Sequence, residues 1–162
     1  GQSFYEESNI QIAKSILRSA NNNNINILLP VDTIVSKSIN DTSNCINSDI
    51  NKINKEMKGF DIGAKSCTIF REVLLKSKTI VWNGPLGVAE INEFSGGTKQ
   101  IALTISELTK ESILTIIGGG DTASAINRLS LNNDFSHIST GGGASLELLT
   151  GNKLPAFEAL NG

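Results

Sequence analysis

At 162 residues the chain is long enough for one domain with a real core. Hydrophobic residues make up 39% and charged residues 19%, and the formal net charge of −2 gives a nucleic-acid or membrane-surface partner no electrostatic support. No apolar run approaches the roughly 18–20 residues of a membrane span; no basic-then-apolar signal opens the chain; and Cys45 and Cys67 form no C-x-x-C pair, so a cytoplasmic protein without a disulfide framework or zinc site is expected.

Residues 6–20 carry Ile12, Ala13, Ile16, Leu17 and Ala20 at helical spacing, and the asparagines at 21–24 end the helix because Asn tolerates the left-handed conformation. The apolar "INILLP" predicts a strand over 25–30. Residues 36–58 are polar without clear periodicity and read as a long loop with one short turn of structure. In "GFDIGAKS", Gly59 and Gly63 are breaks, and Ile69, Phe70, Val73 and Leu74 then mark a second helix. From there strand, glycine turn and helix repeat. "TIVW" (79–82) runs into "NGPLG", and "GTKQIALTISELTK" follows with Ile101, Ala102, Ile105 and Leu108 in helical register. "ILTII" (113–117) runs into "GGG", followed by a short helix through Ala125, Ile126 and Leu129. "SHIST" (136–140) runs into a second "GGG", followed by a helix through Ala144, Leu146, Leu148 and Leu149.

These last three strands are apolar throughout, as in parallel sheets covered on both faces by helices. The expected architecture is α/β, an open parallel sheet in a three-layer, Rossmann-like arrangement. No linker divides the chain. In such sheets ligands bind at the carboxyl ends of the strands, so the three glycine turns should converge on one site.

The turn "GGGDTA" (118–123) fits the dinucleotide fingerprint G-x-G-x-x-A, but the next strand ends in "HISTGGG" with no carboxylate for a ribose. Asp121 would also face the phosphates directly. A divalent metal bridging carboxylate and phosphate removes that conflict, with amides at the helix start holding the remaining oxygens and Thr122 adding its hydroxyl. Alternatively, Asp121 only caps the helix. "STGGGAS" (139–145) has three glycines where a tight turn needs one, which suits close approach of backbone amides to developing negative charge. In "WNGPLGVAE" (82–90), Asn83 and Glu90 suit the hydroxyls of a nucleoside, and Pro85 and Leu86 an apolar base, although taken without the other turns the stretch reads as a structural turn with Glu90 a solvated charge at a helix start. His137, the single histidine, has no nucleophile partner beside it and reads as structural. A Walker loop is absent.

Taken together, "VWNGPLGVAE", "GTK", "IIGGGDTAS" and "SHISTGGGASLELLTGNKLP", with "ILLPVD" and "GFDIGAKS", resemble phosphoglycerate kinases along the whole of residues 1–162. The part matched is the later portion of their nucleotide-binding, carboxyl-terminal domain. The resemblance implies phosphoryl transfer between 1,3-bisphosphoglycerate and ADP in glycolysis, giving 3-phosphoglycerate and ATP, with Mg²⁺. It implies that Asp121 holds the metal and nucleotide, and that Gly118, Gly119, Gly120 and Thr122 surround the phosphates. Gly120, Gly142 and Gly143 take the catalytic places beside the phosphoryl group in transit. Asn83 and Glu90 would contact the ribose, and Pro85 and Phe60 the adenine.

The same resemblance implies a six-stranded parallel sheet of which only part is present, so that the strand at 25–30 would lack its neighbours. The family's lysine loop and its amino-terminal, phosphoglycerate-binding domain have no counterpart in these residues. The chain alone is therefore expected to be inactive. Ala89 stands where the family usually has an aromatic residue. The alternatives are a non-catalytic nucleotide-binding or regulatory module of the same fold and a dinucleotide-dependent oxidoreductase domain, the latter lacking its ribose acid.

Overall fold

The computed structural model describes residues 1–141, 143, 147, 150 and 151. Two compact units emerge, Gly1–Phe70 and Arg71–Gly162. Their boundary falls inside a helix, which is why no linker composition marks it. The residues of the last expected helix, Ala144, Leu146, Leu148 and Leu149, lie outside the described set, as does Gly142.

The first unit opens with a 3-10 turn, Glu7–Asn9, leading into helix α1, Ile10–Asn22. Asn24 adopts the expected left-handed conformation (φ 55°) after it. Of the predicted apolar face only Ala20 is buried; Ile12, Ile16 and Leu17 are exposed. Residues 25–30 form no strand. Their apolar run has the composition of a strand, but a strand exists only through ladder partners, and none pairs with it among the described residues.

The strands of this unit fall elsewhere. β1 (Asp32–Ser36), β2 (Ile46–Asp49) and β3 (Lys58–Ile62) form an antiparallel sheet in the order β2-β1-β3. The expected long loop over 36–58 therefore contains a strand and the ends of two others. β2 is a mostly exposed edge strand of sequence INSD, held by its backbone ladder, so it leaves no apolar pattern to read.

The centre of the unit is a carboxylate. Asp32, at the start of β1, is 2% exposed and caps helix α2, Ala64–Leu74, from across the fold. Its Oδ1 accepts from the Ser66 amide (2.8 Å) and hydroxyl (2.6 Å), and its Oδ2 from the Lys65 amide (3.1 Å) and Asn47 Nδ2 (3.0 Å). The orphan donors of the helix start and a negative charge at its positive end are thus satisfied together. A side chain at Gly63 would run into that carboxylate, so glycine is required there. Cys67, the next residue, is buried, and its thiol is pushed up to about 11 by desolvation first, then by Asp61 and Asp32. Cys45 is half-buried, and both cysteines are free.

The second unit is the expected α/β part. β4 (Thr79–Asn83), β5 (Leu114–Gly118) and β6 (His137–Ser139) form a parallel sheet in sequential order, with α3 (Gly96–Lys110) and α4 (Gly120–Arg128) in the crossovers. The three strands, and the helices around Ile101–Leu108 and Ala125–Ile126, stand within a residue or two of their expected places. Ile80, Trp82, Ile105, Leu108, Ile117 and Ile126 are buried in the core. Side chains of this size gain about 1.5–3 kcal/mol each from full burial.

The expected burial of these strands on both faces is not met in β4. Ile80 and Trp82 are buried, whereas Thr79, Val81 and Asn83 are exposed. The topology explains the alternation. Crossovers in a parallel sheet are right-handed, so two that run the same way along the sheet place their helices on the same face. The short β6 is tied to β5 by a reciprocal pair: Ser136 N donates to Thr115 Oγ1 (3.0 Å) and Thr115 N to Ser136 Oγ (3.1 Å).

The cap on α2 has a pH consequence. Burial alone would raise the pKa of Asp32, but its hydrogen bonds from Ser66, Asn47 and Lys65 outweigh this and hold it at about 2, against 3.8. The stabilisation is complete above the unfolded value and is lost as pH falls from about 4 toward 2, a loss of about 2 kcal/mol. Asp32→Asn should lower the denaturation midpoint at pH 7 and flatten the acid dependence of the first unit. Urea melts at pH 7 and pH 3, followed by amide exchange in 64–67, check this. An unchanged acid slope would refute it.

Candidate functional site

The parallel register brings the three strands to a level finish. Asn83 pairs with Gly118, and Gly118 with Ser139, so their turns leave from one edge. From Gly118 to Gly120 the backbone passes from buried to exposed.

Gly119 caps α4 at φ 93°, ψ 140°, a conformation essentially confined to glycine. Its amide donates to Ser139 O (3.1 Å), and its carbonyl accepts the helix's first bond from Ala123 N (3.0 Å). The Gly119 amide therefore has no proton left for the phosphate contact implied by resemblance. The N–H groups of Gly120, Asp121 and Thr122, in the first turn, have no intrahelical acceptor and point out of the positive end of the helix.

Asp121 lies one residue past the helix start and is exposed. Gly119 holds the N-cap position, so the capping reading of Asp121 falls. Among the described residues, the Asp121 carboxylate forms no hydrogen bond or ion pair. Among the described residues, no group of three or more His, Cys, Asp or Glu could hold a metal. One free carboxylate beside amide donors suits Mg²⁺, which is held by one or two carboxylates together with substrate phosphates. It does not suit a metal caged by protein alone.

Thr122 turns inward. It is fully buried, and its hydroxyl accepts from the Gly84 amide (2.8 Å). The phosphate contact available to Thr122 is thus through its amide, not its hydroxyl. Asn83 lies against the glycines: a Cβ added to Gly119 would come 3.0 Å from Asn83 Oδ1, and one added to Gly118 would come 3.4 Å from Nδ2. Asn83 is exposed and Pro85 half-buried.

Glu90 faces the other end of α4. Its Oε1 accepts from Arg128 Nη2 at 3.3 Å. Arg128 lies seven residues beyond Asp121, about 10 Å along the helix axis. A cavity of about 230 Å³ opens there, lined by Ala89, Glu90, Thr98, Lys99, Arg128 and Leu129. Ala89 thus stands on the wall of a void. Gly141 and Gly143 are exposed. Phe60 belongs to the first unit, on β3, where the ladder with β1 passes from Asp61 to Gly59 and skips it. Such a bulge re-aims a side chain.

Glycine turns gathered at the carboxyl edge of a parallel sheet, with amides and a carboxylate at a helix start that have no partner among the described residues, define an α/β protein of the open parallel-sheet class. The family profile described as Phosphoglycerate kinase matches residues 1–152, and the chain belongs to that family. It is 48% identical over 161 residues to the phosphoglycerate kinase of Pelodictyon phaeoclathratiforme, covering 99% of this chain and 41% of that one. With the enzyme of Dictyoglomus turgidum it shares 46% over 160 residues, covering 99% and 40%. The structure of phosphoglycerate kinase from Coxiella burnetii matches with a TM-score of 0.90 at 34% identity, over 98% of this chain and 40% of that one. That from Pyrococcus horikoshii matches with 0.79 at 30%, over 95% and 36%. The chain thus spans about two-fifths of the length of these relatives, and its described residues form two three-stranded sheets and no six-stranded one.

The geometry of Gly119 gives a direct test of the turn. Gly119→Ala should cost about 1–3 kcal/mol through its backbone conformation alone. It should appear as a lower urea midpoint at an unchanged slope. A midpoint equal to that of the parent chain would show that the turn is not held in this shape.

Proposed function

We propose that the chain, as a partial nucleotide-binding domain over 1–162, is the nucleotide-holding portion of a cytoplasmic phosphoglycerate kinase. The reaction is reversible phosphoryl transfer between 1,3-bisphosphoglycerate and ADP, giving 3-phosphoglycerate and ATP. The observation that carries the reading is the first turn of α4, where three amides and the Asp121 carboxylate, without partners among the described residues, stand at one end of the sheet beside Asn83.

Phosphoryl transfer asks a protein for positioning and charge stabilisation more than for covalent chemistry. The amides of Gly120, Asp121 and Thr122 bind phosphate oxygens, and the helix end favours their charge. Asp121 binds the Mg²⁺ that accompanies the nucleotide; bound there, the metal supplies neutralisation of phosphate charge. Asn83 and Glu90 take the ribose hydroxyls. The Glu90–Arg128 pair is exposed, with side chains 62% and 43% accessible. Pairs of that kind are worth about 0–1 kcal/mol, so a ribose displaces the arginine at little cost. Pro85 lies against the adenine. Gly142 and Gly143, with Gly120, leave room for the phosphoryl group in transit. The phosphoglycerate and the lysine that assists transfer are held by parts of the family's fold other than these residues, so the chain alone binds nucleotide without turning it over.

The test is calorimetric titration of the chain with ADP, in Mg²⁺ and in EDTA. Asp121→Ala should weaken binding about tenfold in Mg²⁺, equivalent to about 1.4 kcal/mol, and little in EDTA. Equal affinity of parent and variant in Mg²⁺ would remove the metal role from Asp121. Turnover by the isolated chain would refute its inactivity.

A further inference from the structure

The turn that follows β4 is held in an unusual way. Gly84 and Leu86 each have one backbone donor, and Pro85 between them has none. Both donors go to buried threonine hydroxyls on two different helices. Gly84 N donates to Thr122 Oγ1 (2.8 Å), and Leu86 N to Thr98 Oγ1 (3.0 Å). The Gly84 carbonyl is engaged too, accepting from Trp82 Nε1 at 2.7 Å. Thr98 is 1% exposed and Thr122 0%.

Thr98 lies in the first turn of α3, in the "GTK" stretch to which the site assigns no role. Its hydroxyl does not do what helical threonines usually do. Thr104 and Thr109, on the same helix, turn theirs back to the carbonyls of Gln100 (3.0 Å) and Ile105 (2.8 Å). Thr98 instead reaches out of its helix to an amide 12 positions earlier.

We infer that Thr98, together with Thr122, is a positioning residue for the nucleotide. The two hydroxyls hold the 83–86 turn, and with it Asn83 and Pro85, over the Gly118–Gly119 backbone. The inference rests on the nucleotide-site reading above. Neither hydroxyl touches the ligand. A threonine on each crossover helix sets where the β4 turn stands, so the sugar and base contacts keep a fixed offset from the amides that hold the phosphates.

Valine has the shape of threonine without the acceptor, and serine has the acceptor without the methyl. Thr98→Val should weaken Mg-ADP binding by the whole chain about tenfold, while Thr98→Ser stays within about twofold of the parent. In the parent, the Leu86 amide should be protected from hydrogen exchange; in Thr98→Val it should exchange as an open-loop amide, with the helical amides of α3 still protected. Parent-like affinity in Thr98→Val overturns the inference. So does equal weakening by valine and serine, since that assigns the effect to the methyl group's packing. Should the valine variant not fold, the parent still decides: a Leu86 amide that exchanges freely there refutes the bond on which everything depends. A parent chain that binds no Mg-ADP overturns the nucleotide reading itself, and the inference with it. Loss of binding in Asp121→Ala with parent-like binding in Thr98→Val overturns the inference alone.

Discussion

The second unit depends on the handedness of its crossovers. Three parallel strands joined in sequential order by right-handed connections have their helices on one face. All three strands then point the same way, and their register makes Asn83, Gly118 and Ser139 neighbours at one edge. Whatever the glycine turns do, they do together because of this. On the face away from the buried Ile80 and Trp82, Val81 and Leu114 remain 44% and 49% exposed among the described residues.

In the first unit the comparable constraint is the Asp32 carboxylate. A buried charge is tolerated only when its lone pairs are filled, and here the donors come from α2 and from β2. The cap links segments more than thirty residues apart, which neither the polar edge strand nor the helix could specify locally. It also accounts for glycine at position 63, where any side chain would displace the charge.

How much of this was legible in the sequence differs between the units. β4, β5, α3 and α4 could be read because their cores are apolar at regular spacing and glycines mark the strand ends. The antiparallel sheet could not. β1 buries Asp32, Thr33 and Ser36, whose hydrogen bonds satisfy them but whose letters break an apolar pattern. β2 is exposed, and β3 is interrupted by a bulge. Conversely, 25–30 looks like a strand because apolar content is visible and a partner is not. At the candidate site, the place of the Gly118–Gly120 turn between β5 and α4 could be read. The inward use of Thr122 and the engagement of the Gly119 amide could not, since both depend on which backbone group comes near. Thr98 stood in the "GTK" stretch of the resemblance, which gave it no role.

Trp82 is the only tryptophan in the chain. It is 8% exposed, and its indole proton is bound to the carbonyl of the residue that Thr122 holds from the other side. Indole emission is sensitive to the polarity and hydrogen bonding around the ring. The protein's whole intrinsic fluorescence above the tyrosine region therefore originates at the β4 turn. The chain carries its own optical probe one hydrogen bond from Gly84, in the turn that Thr122 and Thr98 hold.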